Sequence, residues 1–313
     1  MASILTITLN PALDLTVRLG HLEPGEVNRS SMMLTHAAGK GINVAQVLAD
    51  LGHTLTVSGF LGEDNAQAFD ALFKRRGFVD GFVRVPGETR SNIKLAEDDG
   101  RVTDLNGLGP QVSPQAQQAL LDTLDRIAPD HDAVVVAGSL PQGVSPQWLH
   151  DLVLRLKALG LNVILDTSGQ ALKEALAAGP WLIKPNTEEL AEALDCPTDS
   201  VDQQAQAAAR LHASGIEHVV ISHGADGVNW FSPGTALHAT PPKVSVASTV
   251  GAGDSLLAGM LHGLLGFDLP ETTLRRATAI AAMAVTQIGF GISDDAQLAR
   301  LESGVHVRPL TEQ

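Results

Sequence analysis

Short runs of apolar, β-branched residues alternate with helical patterns along almost the whole of this chain, and that rhythm limits the folds open to it. Strand candidates fall at residues 4–9, 54–60, 133–138, 162–166, 181–184 and 218–222. Several, such as AVVVAG at 133–138, are apolar without alternation, as strands covered on both faces are. Helical patterns lie at about 41–50, 64–76, 114–127, 146–159, 170–178, 187–194, 202–214, 253–265 and 271–288. Two open with Ser113-Pro114 and Ser145-Pro146, an N-cap followed by proline in the first helical position. Gly160 stands where the second of these needs a C-cap. Strand–helix alternation of this kind implies an α/β fold, a mainly parallel sheet flanked by helices on both faces. A length of 313 residues suits one large domain, read here as 1–313.

Two stretches break the rhythm. Residues 12–35 and 88–106 show extended alternation around the turns EPGE and EDDG. They predict a small antiparallel β-sheet inserted twice into the parallel domain. Such a sheet is unstable alone. It covers a ligand cleft or a partner's equivalent sheet, unless the two stretches are merely surface hairpins.

Charge and cysteine content exclude several function classes. A net charge of −14 argues against nucleic acid as a partner, though a local pocket on an acidic protein can still be positive. The single cysteine, Cys196, permits neither an internal disulfide nor a multi-cysteine metal site, and fits a reducing, cytoplasmic setting. The N-terminus has no charged n-region followed by an apolar stretch, so no signal peptide is expected. The longest apolar run, near 279–285, is too short for a membrane span. The histidines show no zinc-ligand spacing.

The segment STVGAGDSLLAGML at 248–261 carries the clearest chemistry. Gly251, Ala252 and Gly253 lead into a helix with no bulky side chain. Their N–H groups can converge on an anion, aided by the helix dipole. Asp254, in the first turn, is placed to take a proton from a substrate hydroxyl beside a transferring phosphoryl group. The alternative is a glycine turn needed only for tight strand–helix packing. The segment matches neither a dinucleotide fingerprint nor a P-loop, because Gly39-Lys40 is followed by Gly41 and not by Ser or Thr.

Other candidates are weaker singly. Gly39, Lys40 and Asn43 open a helix and suit an anionic, polyhydroxylated ligand, or form a loop with a solvated lysine. Asp14 follows the first strand, where ligands collect in open parallel sheets. Arg90 and Asn92 share a strand face, so Arg90 is a two-pronged phosphate ligand or an exposed edge charge. Lys184, Asn186 and Glu189 end a strand and begin a helix. Asn186 and Glu189 can position hydrated Mg²⁺ or close a capping box. Ser222, Gly224 and Gly227 form a strand–turn–strand that suits a nucleotide, or a plain turn.

Taken in order, these segments resemble the ribokinase-like (PfkB) family of carbohydrate kinases. AGKGINVAQVLADLGHTLTVSGFLG at 38–62 is similar to that family's N-terminal signature, and STVGAGDSLLAGML to its C-terminal one; NPALD, KPN and GSLPQGV also match. The resemblance implies ATP-dependent phosphoryl transfer to a sugar hydroxyl, with Asp254 as base and Gly251, Ala252 and Gly253 as the anion hole. It implies that Lys184, Asn186, Ser222, Gly224 and Gly227 bind ATP, and that Glu189 and Asn186 hold Mg²⁺ through water. Asp14, Gly39, Asn43, Asn92 and Ser139 would hold the sugar. The inserted sheet would be a lid and the contact of a homodimer.

GKGINVA and TRSNIKL are most similar to the phosphosugar branch of the family. This implies that Lys40 and Arg90, with Arg29 on the lid, bind the phosphate already on the acceptor. A nucleoside or vitamin kinase has no use for that clamp, and a sugar-phosphate sensor has none for Asp254. Ala38 departs from the pattern at a usual glycine, His223 at a usual apolar residue, and NGLGP at 106–110 differs in the lid loop.

Overall fold

The computed structural model describes residues 1–310. In chain order the strands are β1 (Ser3–Thr8), β2 (Ala12–Leu19), β3 (Met32–Ala38), β4 (Thr54–Gly62), β5 (Val79–Val85), β6 (Arg90–Glu97), β7 (Val102–Asn106), β8 (Ala133–Ala137), β9 (Asn162–Asp166), β10 (Leu182–Ile183), β11 (His218–Ser222), β12 (Val228–Ser232), β13 (Thr235–Thr240) and β14 (His306–Pro309). The helices are α1 (Lys40–Asp50), α2 (Gln67–Arg76), α3 (Pro114–Ile127), α4 (Pro146–Ala158), α5 (Gly169–Leu176), α6 (Thr187–Leu194), α7 (Val201–Ala213), α8 (Ala252–Leu265), α9 (Pro270–Ala284) and α10 (Asp295–Gly304).

Ten strands form the main sheet in the order β14-β13-β12-β11-β10-β9-β8-β1-β4-β5. From β5 to β11 every pairing is parallel, and β12, β13 and β14 add an antiparallel edge. Successive residues of β8 point to opposite faces. Ala133, Val135 and Ala137 join the layer under α1, α8 and α9, while Val134 and Val136 join the layer under α3, α4 and α5. Both layers are dry, which explains why β8 reads as one apolar run.

Helix α8 is held close to α9 by small residues. A Cβ at Gly259 would lie 2.5 Å from the Ala277 Cα, and one at Gly263 would lie 2.5 Å from the Thr273 hydroxyl. No alanine fits at either place without moving backbone. This contact fixes the helix that presents Asp254.

The small sheet has the order β3-β2-β6-β7. Its antiparallel pairs, β2–β3 and β6–β7, meet through a parallel pairing of β2 with β6 that sets Asp14 beside Asn92. Strand β3 runs to Ala38, past the expected limit at 35, and so brings His36 opposite Asp14.

Several boundaries differ from expectation. Helix α2 starts at Gln67 and not at 64, after a turn. Helix α9 stops at Ala284, short of 288, and the chain turns across the mouth of α8. The strand expected at 181–184 is only Leu182–Ile183, which leaves Lys184 free to enter the cleft. Strands β5, β13 and β14 and helix α10 carry no strong sequence pattern, since they are edge or surface elements with mixed polar residues.

Candidate active site

The carboxyl ends of β1, β8, β9, β10 and β11 face the N-termini of α1, α6 and α8, the position where open parallel sheets bind ligands. A cleft of about 300 Å³ lies there, lined by Asp14, Gly39, Lys40, Asn43, Arg90, Asn92, Asp166, Lys184, Gly251, Gly253 and Asp254. It shares Asp14 and Asn92 with a larger opening of about 510 Å³ between the small sheet and residues 246–250 and 288–290. Asp14, Lys40, Arg90, Lys184 and Asp254, far apart in sequence, thus line one space, whereas Ser139, Asn186, Glu189, Ser222, Gly224 and Gly227 lie outside its lining.

The start of α8 is bare. Gly251 caps it at φ 81°, with no side-chain hydrogen bond to the helix. The first N–H groups of a helix lack intrahelical partners, so those at this end are available to an anion. A Cβ at Gly251 would lie 2.7 Å from the Phe290 ring, and one at Gly253 would lie 3.2 Å from Lys184 Nζ. Glycine is therefore required by the left-handed backbone and the ring at 251, and keeps the lysine close to the helix start at 253.

Asp254 is 6% exposed, and its Oδ2 accepts a hydrogen bond from Asn43 Nδ2 at 2.8 Å. Burial, then the charge of Asp166, push its carboxyl up to about 6, against the pull of Asn43, Lys40 and Lys184. A carboxylate poised there is mostly ionised at neutral pH yet basic enough to take a proton.

Asp166, at the end of β9, completes this cluster and was not anticipated. It is 1% exposed. Lys40 Nζ donates to its Oδ1 at 3.1 Å, and Lys184 Nζ lies 3.3 Å from its Oδ2. Burial disfavours its charge, but the two ammoniums outweigh burial and hold it below the usual carboxylate range. The same pairing, with Asp254, raises Lys40 despite burial. The only sequence signal for Asp166 is its place at the end of an apolar run.

The acceptor-side candidates are tied to one another. Asn92 Nδ2 donates to Asp14 Oδ1 at 3.0 Å, while burial pushes the Asp14 carboxyl up. Arg90 donates to three backbone carbonyls, those of Asn10, Pro11 and Gly107, at 3.1–3.4 Å. It is no free edge charge: it joins the small sheet to the end of β1 while still lining the cleft. Gly39, at φ 137°, lets α1 start against β1, since a Cβ there would meet Thr8 at 2.7 Å. Ala38 is buried in the same contact. Ser139 is exposed and lines neither opening; its hydroxyl accepts from Asn10 Nδ2 at 3.2 Å. Asn10 and His36 are further polar groups that the sequence reading passed over; the Asn10 Oδ1 and the His36 Nε2 are buried without a partner. Arg29 is exposed on the loop between β2 and β3 and lines neither opening.

In the segment expected to bind nucleotide, Asn186 and Glu189 form a capping box. Asn186 Oδ1 accepts from the Glu189 N–H, and Glu189 Oε2 accepts from the Asn186 N–H. Glu189 keeps its other oxygen, enough to hold a water of a hydrated cation but not a closed cage. Ser222 bridges to Asn186, which joins the segments at 184–189 and 222–227. Gly224 is exposed with open space around it, whereas a Cβ at Gly227 would strike the Ala239 carbonyl, so packing alone requires glycine there. His223 hydrogen-bonds Thr187 at 3.2 Å, which is why an imidazole replaces an apolar side chain without opening the turn. Among the described residues, the one group of three close metal-ligand side chains, His21, Glu97 and Asp99, lies in the small sheet and holds the Arg101 guanidinium.

Comparison with known proteins identifies the family of the chain. Residues 7–297 match the model of the pfkB family carbohydrate kinases. The chain is 47% identical over 307 residues to the 1-phosphofructokinase of Vibrio cholerae, covering 98% of this chain and 97% of that protein. It is 46% identical to the 1-phosphofructokinase of Escherichia coli K12, with 98% of each covered. Among solved structures, phosphofructokinase-2 from Escherichia coli in complex with fructose-6-phosphate superposes with a TM-score of 0.87 at 25% identity, covering 97% of this chain and 99% of that one.

Proposed function

This chain belongs to the pfkB family of carbohydrate kinases, and from that premise we propose that it is a 1-phosphofructokinase, transferring the γ-phosphoryl group of ATP to the free primary hydroxyl of fructose 1-phosphate. The products are fructose 1,6-bisphosphate, ADP and a proton. It is a phosphotransferase with an alcohol group as acceptor.

The observation that carries this reading is the buried Asp254 at the bare start of α8, with Lys40 in the same cleft. The acceptor hydroxyl lies against Asp254, which takes its proton as the oxygen attacks. The N–H groups at 251–253 and the Lys184 ammonium stabilise charge on the transferring group. Asp14 and Asn92 grip sugar hydroxyls, and Lys40 binds the phosphate the acceptor already carries. Arg90 lines that subsite with its guanidinium committed to carbonyls, so Lys40 is the principal cation there. Mg²⁺, held through water by Glu189 and Asn186, would neutralise ATP phosphate charge.

The small sheet acts as a lid that keeps water, a rival acceptor, from the phosphoryl group. Its exposed Met33, Val102 and Leu105 suit a second copy of the chain, which supports a homodimer; sedimentation of a monomer alone at high concentration would remove that part. No helix among the described residues is long and apolar enough to cross a membrane. With a single half-buried cysteine, that fits a cytoplasmic enzyme.

The test is a panel of acceptors with ATP. Fructose 1-phosphate is expected to exceed fructose 6-phosphate and tagatose 6-phosphate in kcat/KM by at least about tenfold, one well-placed polar contact's worth of discrimination. A preference for either 6-phosphate would reassign the acceptor within the same family.

A further inference from the structure

Asp166 has no part in the transfer just described, yet it sits at the centre of the cleft's charge. Its carboxylate is fully enclosed, so it cannot stand there without cations. It has two, one on each oxygen. Lys40 comes from the start of α1, beside Gly39 and Asn43; Lys184 comes from the end of β10, against Gly253. The first stands with the acceptor residues and the second with the segment leading to α6. The Lys184 ammonium is itself buried and lies 3.3 Å from the second Asp166 oxygen, held there by charge.

We propose that Asp166 is a positioning residue for phosphoryl transfer: one buried carboxylate holds the Lys40 ammonium on the acceptor side of Asp254 and the Lys184 ammonium on its nucleotide side. The inference rests on the kinase reading above and adds to it a residue that touches neither substrate. The two anionic ligands then enter a site whose cations are already spaced, and little reorganisation remains for the transition state. The charged and polar groups around Asp254 are Asp166 from β9, Lys40 and Asn43 from α1, and Lys184 from the end of β10; Asp14 and Arg90 line the cleft from the small sheet. Removing only the charge of Asp166 from this set leaves both lysines facing Asp254.

The test uses the full-length Asp166→Asn enzyme, with kcat, both KM values and the pH profile of kcat measured beside wild type. Misplaced lysines are expected to lower kcat by about 10–100-fold. The acid limb of kcat is expected to move down by about one pH unit or more, since Asp254 loses a like charge. A merely structural role would lower thermal stability and the active fraction, but leave kcat per active enzyme and both KM values unchanged. Should kcat, both KM values and the limb stay within about twofold of wild type, the inference is overturned. If Asp166→Asn does not fold, Lys40→Met, Lys184→Met and their double variant replace it. Their losses in kcat/KM should then fail to multiply by about tenfold, and simple multiplicativity overturns the inference. A wild-type chain inactive on every phosphohexose would overturn the kinase reading and this inference together; an active wild type with an unchanged Asp166→Asn would overturn this inference alone.

Discussion

Asp254→Asn is expected to lower turnover by about 10²–10⁴-fold, the usual contribution of a positioned general base, while ATP and the phosphosugar still bind. The substitution changes little but charge and basicity. An amide oxygen at 254 can still accept from Asn43 Nδ2, and the N–H groups at the start of α8 are untouched. Nor should the fold suffer. Burial and the charge of Asp166 push the native carboxyl up to about 6, so its ionised form is disfavoured in the folded state by on the order of 3 kcal/mol at neutral pH. Asparagine carries no such penalty, and the melting temperature should equal or exceed that of wild type. Steady-state assay, calorimetric binding of each ligand and a thermal melt check the three parts. Turnover within about tenfold of wild type would remove Asp254 from the role of base.

Lys40→Met should act chiefly on the acceptor. A charge-assisted hydrogen bond to a phosphate is worth about 1.5–3 kcal/mol, so KM for the phosphosugar is expected to rise about 10–100-fold. KM for ATP should rise less than KM for the phosphosugar, because Lys184 keeps its own contact with Asp166. Methionine fills the aliphatic part of the lysine, whose side chain is 39% exposed, so the start of α1 should keep its packing. Equal increases in both KM values would mean that Lys40 serves the charge of the whole cleft and not the acceptor phosphate.

How far the molecule could be read from its sequence follows from what each segment buries. β1, β8, β9 and β11 were legible because both of their faces are covered, which leaves an apolar run that turns then punctuate. β5 and β14 were not, since each lies at an edge of the sheet and mixes charged with apolar residues. The start of α8 was legible as chemistry because glycine is costly and four unusual residues stand together. Asp166 was not: a single aspartate after an apolar strand looks like any strand end. Its meaning needs Lys40, 126 positions away, which only the fold supplies. Arg90 shows the opposite limit. Strand alternation left it open between a phosphate ligand and an exposed edge charge, and its three backbone carbonyl partners could not be read, because they lie on loops whose paths no local pattern fixes. At Asn186 and Glu189 the two readings were compatible: the capping box forms and still leaves one carboxylate oxygen for solvent.

The role of Asp254 is tested most directly by the pH dependence of the single-turnover rate, with ATP and fructose 1-phosphate both saturating. The rate is expected to be level above neutrality and to fall about tenfold per pH unit below a midpoint near 6, as the buried carboxyl takes up its proton. Substrate phosphates titrate in a similar range, so the limb must also move in Asp166→Asn, where a ligand-borne limb would stay. A rate that holds constant down to about pH 5, in enzyme still folded, would contradict a base at this position.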